Sequence, residues 1–94
     1  MAPKHALTTA GRSRLTESLE AGLHERGFKA TVNLDKSTLA GKYRLFVVSR
    51  TFGKLSEAER QDVIWQVIRE KWSRADQLRL TLTLALTPDE ANAA

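Results

Sequence analysis

The residue types that build metal centres and covalent catalysts are sparse in this chain. It has no cysteine and two histidines, His5 and His24. A metal site asks for ligands grouped at short, characteristic spacings, and neither histidine has such a partner. His24 falls near the end of a predicted helix, where a positive imidazole suits the helix dipole, and His5 lies in the N-terminal tail. Without cysteine there is no thiolate ligand, no thiol nucleophile and no disulfide framework. Serines are plentiful, but none stands in the strand–turn–helix setting that exposes a nucleophile. The five glycines read as scattered caps and turns. They form no phosphate-cradling loop and no G-x-x-G clamp for single-stranded nucleic acid. The reading is therefore of a non-enzymatic chain with no catalytic and no metal-ligating residues.

Binding chemistry remains, and it lies in the bases. The net charge is +4, and the excess is concentrated in the middle third. There Arg26, Lys29, Lys36, Lys42, Arg44, Arg50 and Lys54 face a single acid, Asp35. A localised basic stretch can meet phosphate backbones or an acidic protein. It can equally be a solvated strand edge whose lysines discourage aggregation. Phe46 and Phe52 are candidates for stacking on bases, or simply core residues.

These residues need elements to hold them. At 94 residues, 41% hydrophobic and 28% charged, the chain supports one small globular core. Residues 1–8 read as a disordered tail, 9–88 as a single domain, and 89–94 as a C-terminal tail with at most a short helical turn. The first ten residues hold no apolar run of signal-peptide length, and no segment approaches a membrane span, so a cytoplasmic protein without membrane contact is expected. Leu15, Leu19 and Leu23 mark a helix from Thr9 to Arg26, closed by Gly27 with Phe28 packing back. Ala30, Val32 and Leu34 alternate with polar residues as in a half-buried strand. Tyr43 to Val48, apolar on both faces, reads as a central strand. Ser56-Glu57-Ala58-Glu59 is a capping box opening a second helix to Arg74, with Val63, Ile64, Val67, Ile68 and Trp72 along its stripe, and Ala75-Asp76-Gln77 turns the chain. Finally Leu78, Leu80, Leu82, Leu84 and Leu86 alternate with Arg79, Thr81, Thr83 and Ala85. The expectation is a strand with its leucine face in the core and Arg79, Thr81 and Thr83 outside. The fold class that follows is α+β, in the order αββαβ, with a three-stranded mixed sheet and two helices on one face.

Two segments carry a family resemblance. Phe46-Val47-Val48-Ser49-Arg50-Thr51-Phe52-Gly53-Lys54-Leu55-Ser56-Glu57-Ala58-Glu59-Arg60 resembles the BolA family, which has a strand ending in valine–serine, a phenylalanine, a glycine-containing loop and an arginine opening the next helix. Leu84-Ala85-Leu86-Thr87-Pro88-Asp89-Glu90 is similar to that family's closing strand and its threonine–proline–acid ending. The resemblance implies a type II KH-like fold and non-enzymatic roles: pairing with a monothiol glutaredoxin around a shared iron–sulfur cluster, and DNA-binding transcriptional regulation in stress responses. This sequence departs from the family at the ligands. Arg79 stands where the family has a histidine entering the last strand, the loop from Asp35 to Gly41 has neither histidine nor cysteine, and Gln61 follows the helix-opening arginine where many members have histidine. Because a guanidinium has no lone pair to offer, no cofactor is expected.

Three functional readings follow. The first is a BolA-like protein docking a glutaredoxin-type or other acidic partner, or acting in regulation. The second is a KH-related binder of DNA or RNA, and the third a structural member without a ligand site. Arg44, Arg50, Lys54, Arg60 and Arg79 are the candidate binding residues, with Arg50, Lys54, Arg60 and Arg79 expected near one end of the sheet. Arg60 has an alternative role, bracing the loop after Phe52.

Overall fold

Helix α1 (Thr9–Glu25) begins where Thr8 caps it, its hydroxyl accepting from Gly11 N at 2.9 Å. It ends in a Schellman turn: Gly27, at φ 86°, donates to His24 O, and Phe28 N donates to Leu23 O. A left-handed residue there is tolerated because glycine has no Cβ to clash. The computed structural model describes residues 7–93. Of the expected N-terminal tail, residues 1–6, His5 among them, lie outside the described residues. Leu7 and Thr8 belong to the fold, since Leu7 packs on the core and its amide donates to the buried Tyr43 hydroxyl at 2.7 Å.

Strands β1 (Thr31–Lys36) and β2 (Tyr43–Val48) pair antiparallel. A 3₁₀ turn (Arg50–Lys54) leads to helix α2 (Glu57–Lys71), which opens with the expected capping box between Ser56 and Glu59. A short helix α3 (Arg74–Gln77) precedes strand β3 (Leu80–Leu86), which pairs parallel to β2. The sheet is therefore mixed, in the order β1-β2-β3, and the α+β class and element order match expectation. The last residues form a helix, α4 (Pro88–Ala93). Thr87 and Glu90 lock its start by exchanging backbone-to-side-chain bonds at 2.8 and 3.2 Å, a capping box in a segment expected to be a loose tail or at most a short helical turn.

Both long helices lie on one face. Leu15, Leu19 and Leu23 of α1 and Ile64, Val67 and Ile68 of α2 close on Val32, Leu34, Tyr43, Leu45 and Val47. Burial of each such aliphatic side chain contributes about 1.5–3 kcal/mol. Trp72 ties the helices together by donating from its indole N–H to Leu15 O at 3.1 Å. Gly22 is not the cap or turn residue expected of it. It lies mid-helix against α2, where an added Cβ would collide with Val67 Cγ1, so glycine is what lets the helices approach.

The last strand corrects the sequence expectation. Tyr43 pairs with Leu80, but Arg44, Phe46 and Val48 pair with Leu82, Leu84 and Leu86, with a register irregularity between. Thr81 is the additional residue, and a single-residue insertion exchanges the two faces of a strand. Leu80 therefore packs on the core with Ala85 beyond it, whereas Leu82, Leu84 and Leu86 share the helix-free face with Phe46. Leu82 is 45% exposed. The core side of β3 therefore carries Thr83 and Ala85, whose carbonyls accept from α2: Gln61 Nε2 donates to Thr83 O at 3.0 Å and Arg60 Nη1 to Ala85 O at 3.1 Å.

Candidate docking surface

The five candidate residues lie at three places on the sheet, and at one of them Arg60 is buried while Arg50 and Lys54 are exposed. Arg60 is 6% exposed and its guanidinium is directed inward. Its Nε donates to Phe52 O at 2.9 Å and to Leu55 O at 3.2 Å. Its Nη1 donates to Ala85 O and, at 2.8 Å, to Glu90 Oε1, while the guanidinium carbon lies 6.0 Å from the Phe52 ring centroid. One side chain thus ties the 3₁₀ turn, α2, β3 and α4 together, which is the bracing alternative. Glu90 is held below the usual carboxylate range, first by the Thr87 amide and then by Arg60.

Arg50 and Lys54, at the two ends of the 3₁₀ turn, are exposed. Arg50 borders two shallow grooves. One, of about 490 Å³, is lined by Lys29, Thr31, Val48, Ser49, Arg50, Thr51 and Pro88. The other, of about 450 Å³, adds Gly53, Thr87 and Asp89. Buried Ser49 holds the first groove's floor: its hydroxyl donates to Lys29 O at 2.9 Å and its amide to Leu86 O at 2.9 Å, joining the start of β1 to the ends of β2 and β3. Among the described residues, Arg26, Arg60, Lys71 and Arg79 form ion pairs, and Lys29, Arg50 and Lys54 do not. Of these, Lys29 and Arg50 line the same groove, with Asp89 on the adjoining one. Lys29 is the residue that sequence reasoning did not single out. It belongs to the basic run, but only the β1–β2 pairing carries it next to Arg50.

Arg79 is not part of this end. β2 and β3 run in the same direction, so Arg79, before Leu80, lies beside Tyr43, whose amide donates to Arg79 O at 2.7 Å. The seven residues of β3 separate it from Arg60 and Arg50 by about 20 Å at roughly 3.3 Å per residue. Its Nε is 3.3 Å from Asp76 Oδ1. The expected four-residue cluster is thus divided between the two ends of the sheet. Arg44 occupies a third place, exposed on the helix-free face, opposite Asp35 in register and 6.0 Å from the Phe46 ring centroid.

His24 is exposed at the end of α1 beside a hollow lined by Glu17, Glu20 and Lys29. Glu20 is committed to the Val32 amide at 2.8 Å. Among the described residues, no three histidine, cysteine, aspartate or glutamate side chains are grouped to hold a metal ion, and no helix is long and apolar enough to cross a membrane.

No family model and no curated protein matches the sequence. Among solved structures, the chain is similar to a Bol-like protein from Babesia bovis, with 23% sequence identity, coverage of 92% of this chain and 94% of that chain, and a TM-score of 0.48.

Proposed function

We propose that this chain is a non-enzymatic, BolA-like binding and regulatory module of the cytoplasm, docking an acidic protein partner at the groove where β1 begins and β2 ends. The observation that carries the reading is the placement of Lys29 and Arg50, both without ion pairs among the described residues, on one groove with the hydroxyl-bearing Thr31 and Thr51. Cations left unpaired around a concave surface attract carboxylates and speed encounter. The segment Phe46–Arg60, which carries the BolA resemblance, forms one wall of the groove and the brace beneath it. A monothiol glutaredoxin is the partner class that the resemblance implies.

The residues do not fit an iron–sulfur cluster. Arg79, at the family's histidine position, is cationic and paired with Asp76, so it has no lone pair for iron. Gln61 donates its amide to Thr83 O, and the loop from Asp35 to Gly41 has no histidine or cysteine. The proposed docking is therefore cluster-free.

Titration calorimetry of the full chain with a monothiol glutaredoxin, apo and cluster-loaded, tests this. The expected result is binding of both forms with unchanged iron–sulfur absorbance, weakened about tenfold or more by Lys29→Glu with Arg50→Glu. A mixed complex with altered cluster absorbance, or affinity indifferent to both reversals, refutes the reading. The same cations are the natural contacts for a nucleic-acid backbone. Binding to single- or double-stranded DNA that falls steeply between 50 and 200 mM salt, with a slope of about −0.7 to −0.9 per phosphate contact, would assign the groove to nucleic acid instead.

A further inference from the structure

The groove that Lys29 and Arg50 line does not end at its rim. Thr31 and Val48, two of its lining residues, pair in register at the end of the β1–β2 ladder and stand on the helix-free face of the sheet. From Val48 that face continues through Phe46 on β2 and through Leu86, Leu84 and Leu82 on β3. None of these five apolar residues belongs to the packed core or to the side chains resting on it. The surface therefore has a cationic end and an apolar body. At its far end Arg44 lies opposite Asp35, and β3 adds no charge.

We infer that an amphipathic helix of the partner lies along this face. Its acidic end sits on Lys29 and Arg50, and its apolar stripe covers Val48, Leu86, Phe46, Leu84 and Leu82. The inference rests on the docking proposed above and supplies the chemistry of the segment that docks. Charge places the acidic end, because Lys29 and Arg50 form no ion pair among the described residues, whereas Arg44 has Asp35 beside it in register.

The edges of the sheet select a helix over an extended segment. The edge strands are β1 and β3. The Val32 amide is taken by Glu20 at 2.8 Å, and the carbonyls of Thr83 and Ala85 are taken by Gln61 and Arg60. A strand added at either edge meets groups already in use. Laid across the leucines instead, an extended segment leaves its own amides and carbonyls without partners. A helix satisfies its backbone internally and presents a single apolar stripe. The lengths agree: Leu82 to Leu86 spans about 13 Å, or between two and three helical turns of about 5.4 Å.

Other occupants match less well. A nucleic-acid strand stacks on aromatic rings, and the face offers Phe46 alone, with the Arg44 guanidinium 6.0 Å from its centroid. A second copy of the chain brings only further cations to Lys29 and Arg50. An uncharged apolar partner leaves both unanswered.

Fluorescence anisotropy of the full chain with two labelled synthetic peptides tests the inference. One carries leucines at i, i+3, i+4 and i+7 with glutamates in the adjoining turn. The other is its scramble, with the same charge and no stripe. The striped peptide should bind about tenfold or more tightly, the scale of burying one leucine side chain. Leu82→Asp, at an exposed position whose folding circular dichroism checks, should abolish that preference. Lys29→Glu with Arg50→Glu should weaken both peptides. Equal binding of the two peptides, both weakened by the charge reversals, overturns the helix and leaves docking at the groove standing. A preference that survives in folded Leu82→Asp does the same. Striped-peptide binding indifferent to the reversals overturns the inference and the groove together. If neither peptide binds at 1 mM the inference falls, and the glutaredoxin titration decides the groove alone. Tighter binding of phosphatidylserine vesicles or of a deoxythymidine oligomer, lost in Leu82→Asp, gives the face to a membrane or a nucleic acid and overturns it as well.

Discussion

Replacing Arg60 with methionine keeps most of the aliphatic reach of the side chain and removes every donor. Three backbone carbonyls then lose a bond: Phe52 O, Leu55 O and Ala85 O. Phe52 O retains the Leu55 amide at 3.0 Å, so its loss is partial. Leu55 O is only partly buried, so water can replace the guanidinium there. Ala85 O lies in a buried bond and is the carbonyl left stranded. At about 1–3 kcal/mol for each buried acceptor left unpaired, with only one fully stranded, the expected loss is about 3 kcal/mol. The Glu90 contact adds little to this sum, because the carboxylate side of the pair is 45% exposed and screened by water.

A domain of this size has a total stability of about 5–14 kcal/mol, so Arg60→Met should fold but melt early. Urea unfolding followed by tryptophan fluorescence should show the midpoint falling by about 2 M, for a slope of roughly 1–1.5 kcal/mol per M. Arg60→Lys should recover only part of that, since an ammonium is a point charge and cannot span carbonyls on several elements at once. An Arg60→Met midpoint within about 0.5 M of wild type, or Arg60→Lys indistinguishable from wild type, would refute the view of Arg60 as the brace of this end of the fold.

Gly22→Ala tests the helix contact. Helix propensity favours alanine by about 1 kcal/mol and the collision with Val67 opposes it by about 1–3 kcal/mol, so urea unfolding should show a net loss, and the loss should shrink when Val67→Ala is added. Acid titration tests the carboxylates. Glu59, Glu70 and Glu90 have folded pKa values lowered, respectively by the Ser56 amide, by Arg26 and by the Thr87 amide with Arg60. A lowered folded pKa gives stability that is present above the unfolded value of about 4.3 and is lost as pH falls through the folded one. The melting temperature should therefore drop below pH 4.3, and Glu90→Gln should show a smaller drop along with a lower melting temperature at pH 7.

What was legible in the sequence was mostly local. The Leu15, Leu19, Leu23 stripe, the Ser56–Glu59 capping box and the Gly27 cap each depend on residues within a turn or two, and each stands as read. The alternation of β3 was legible as a strand but misleading about direction. Period two says that the leucines share a face, and only the approach of α2 and the extra residue at Thr81 decide which one. The assumption that the more apolar face is buried failed because the register irregularity sets Thr83 and Ala85, not the leucines, beside the core residues Leu45 and Val47. Gly22 was hidden for a related reason: nothing within its own helix shows that Val67 lies opposite. Lys29 and Arg50 become neighbours only through the β1–β2 pairing. Arg79 was placed with the wrong group because a parallel strand begins, rather than ends, beside the start of its neighbour.

The division of labour within Phe46–Arg60 bears on what the resemblance to the BolA family can mean. Phe52 is fully buried, its ring 5.8 Å from that of Phe28, and Arg60 is spent on the carbonyls of the turn and of β3. These are folding requirements, met by any sequence that turns from a central strand through a 3₁₀ segment into a helix braced from beneath. The residues that would carry ligand chemistry stand elsewhere, at Arg79, Gln61 and the loop from Asp35 to Gly41, and there the sequence departs from the family. A pattern made of bracing residues transmits a fold, whereas function resides in the side chains grafted on it. In the proposed reading those are the cations Lys29 and Arg50 at one end of the sheet. Both can be altered without touching Phe52 or Arg60, so the proposed docking and folding are separable by mutation.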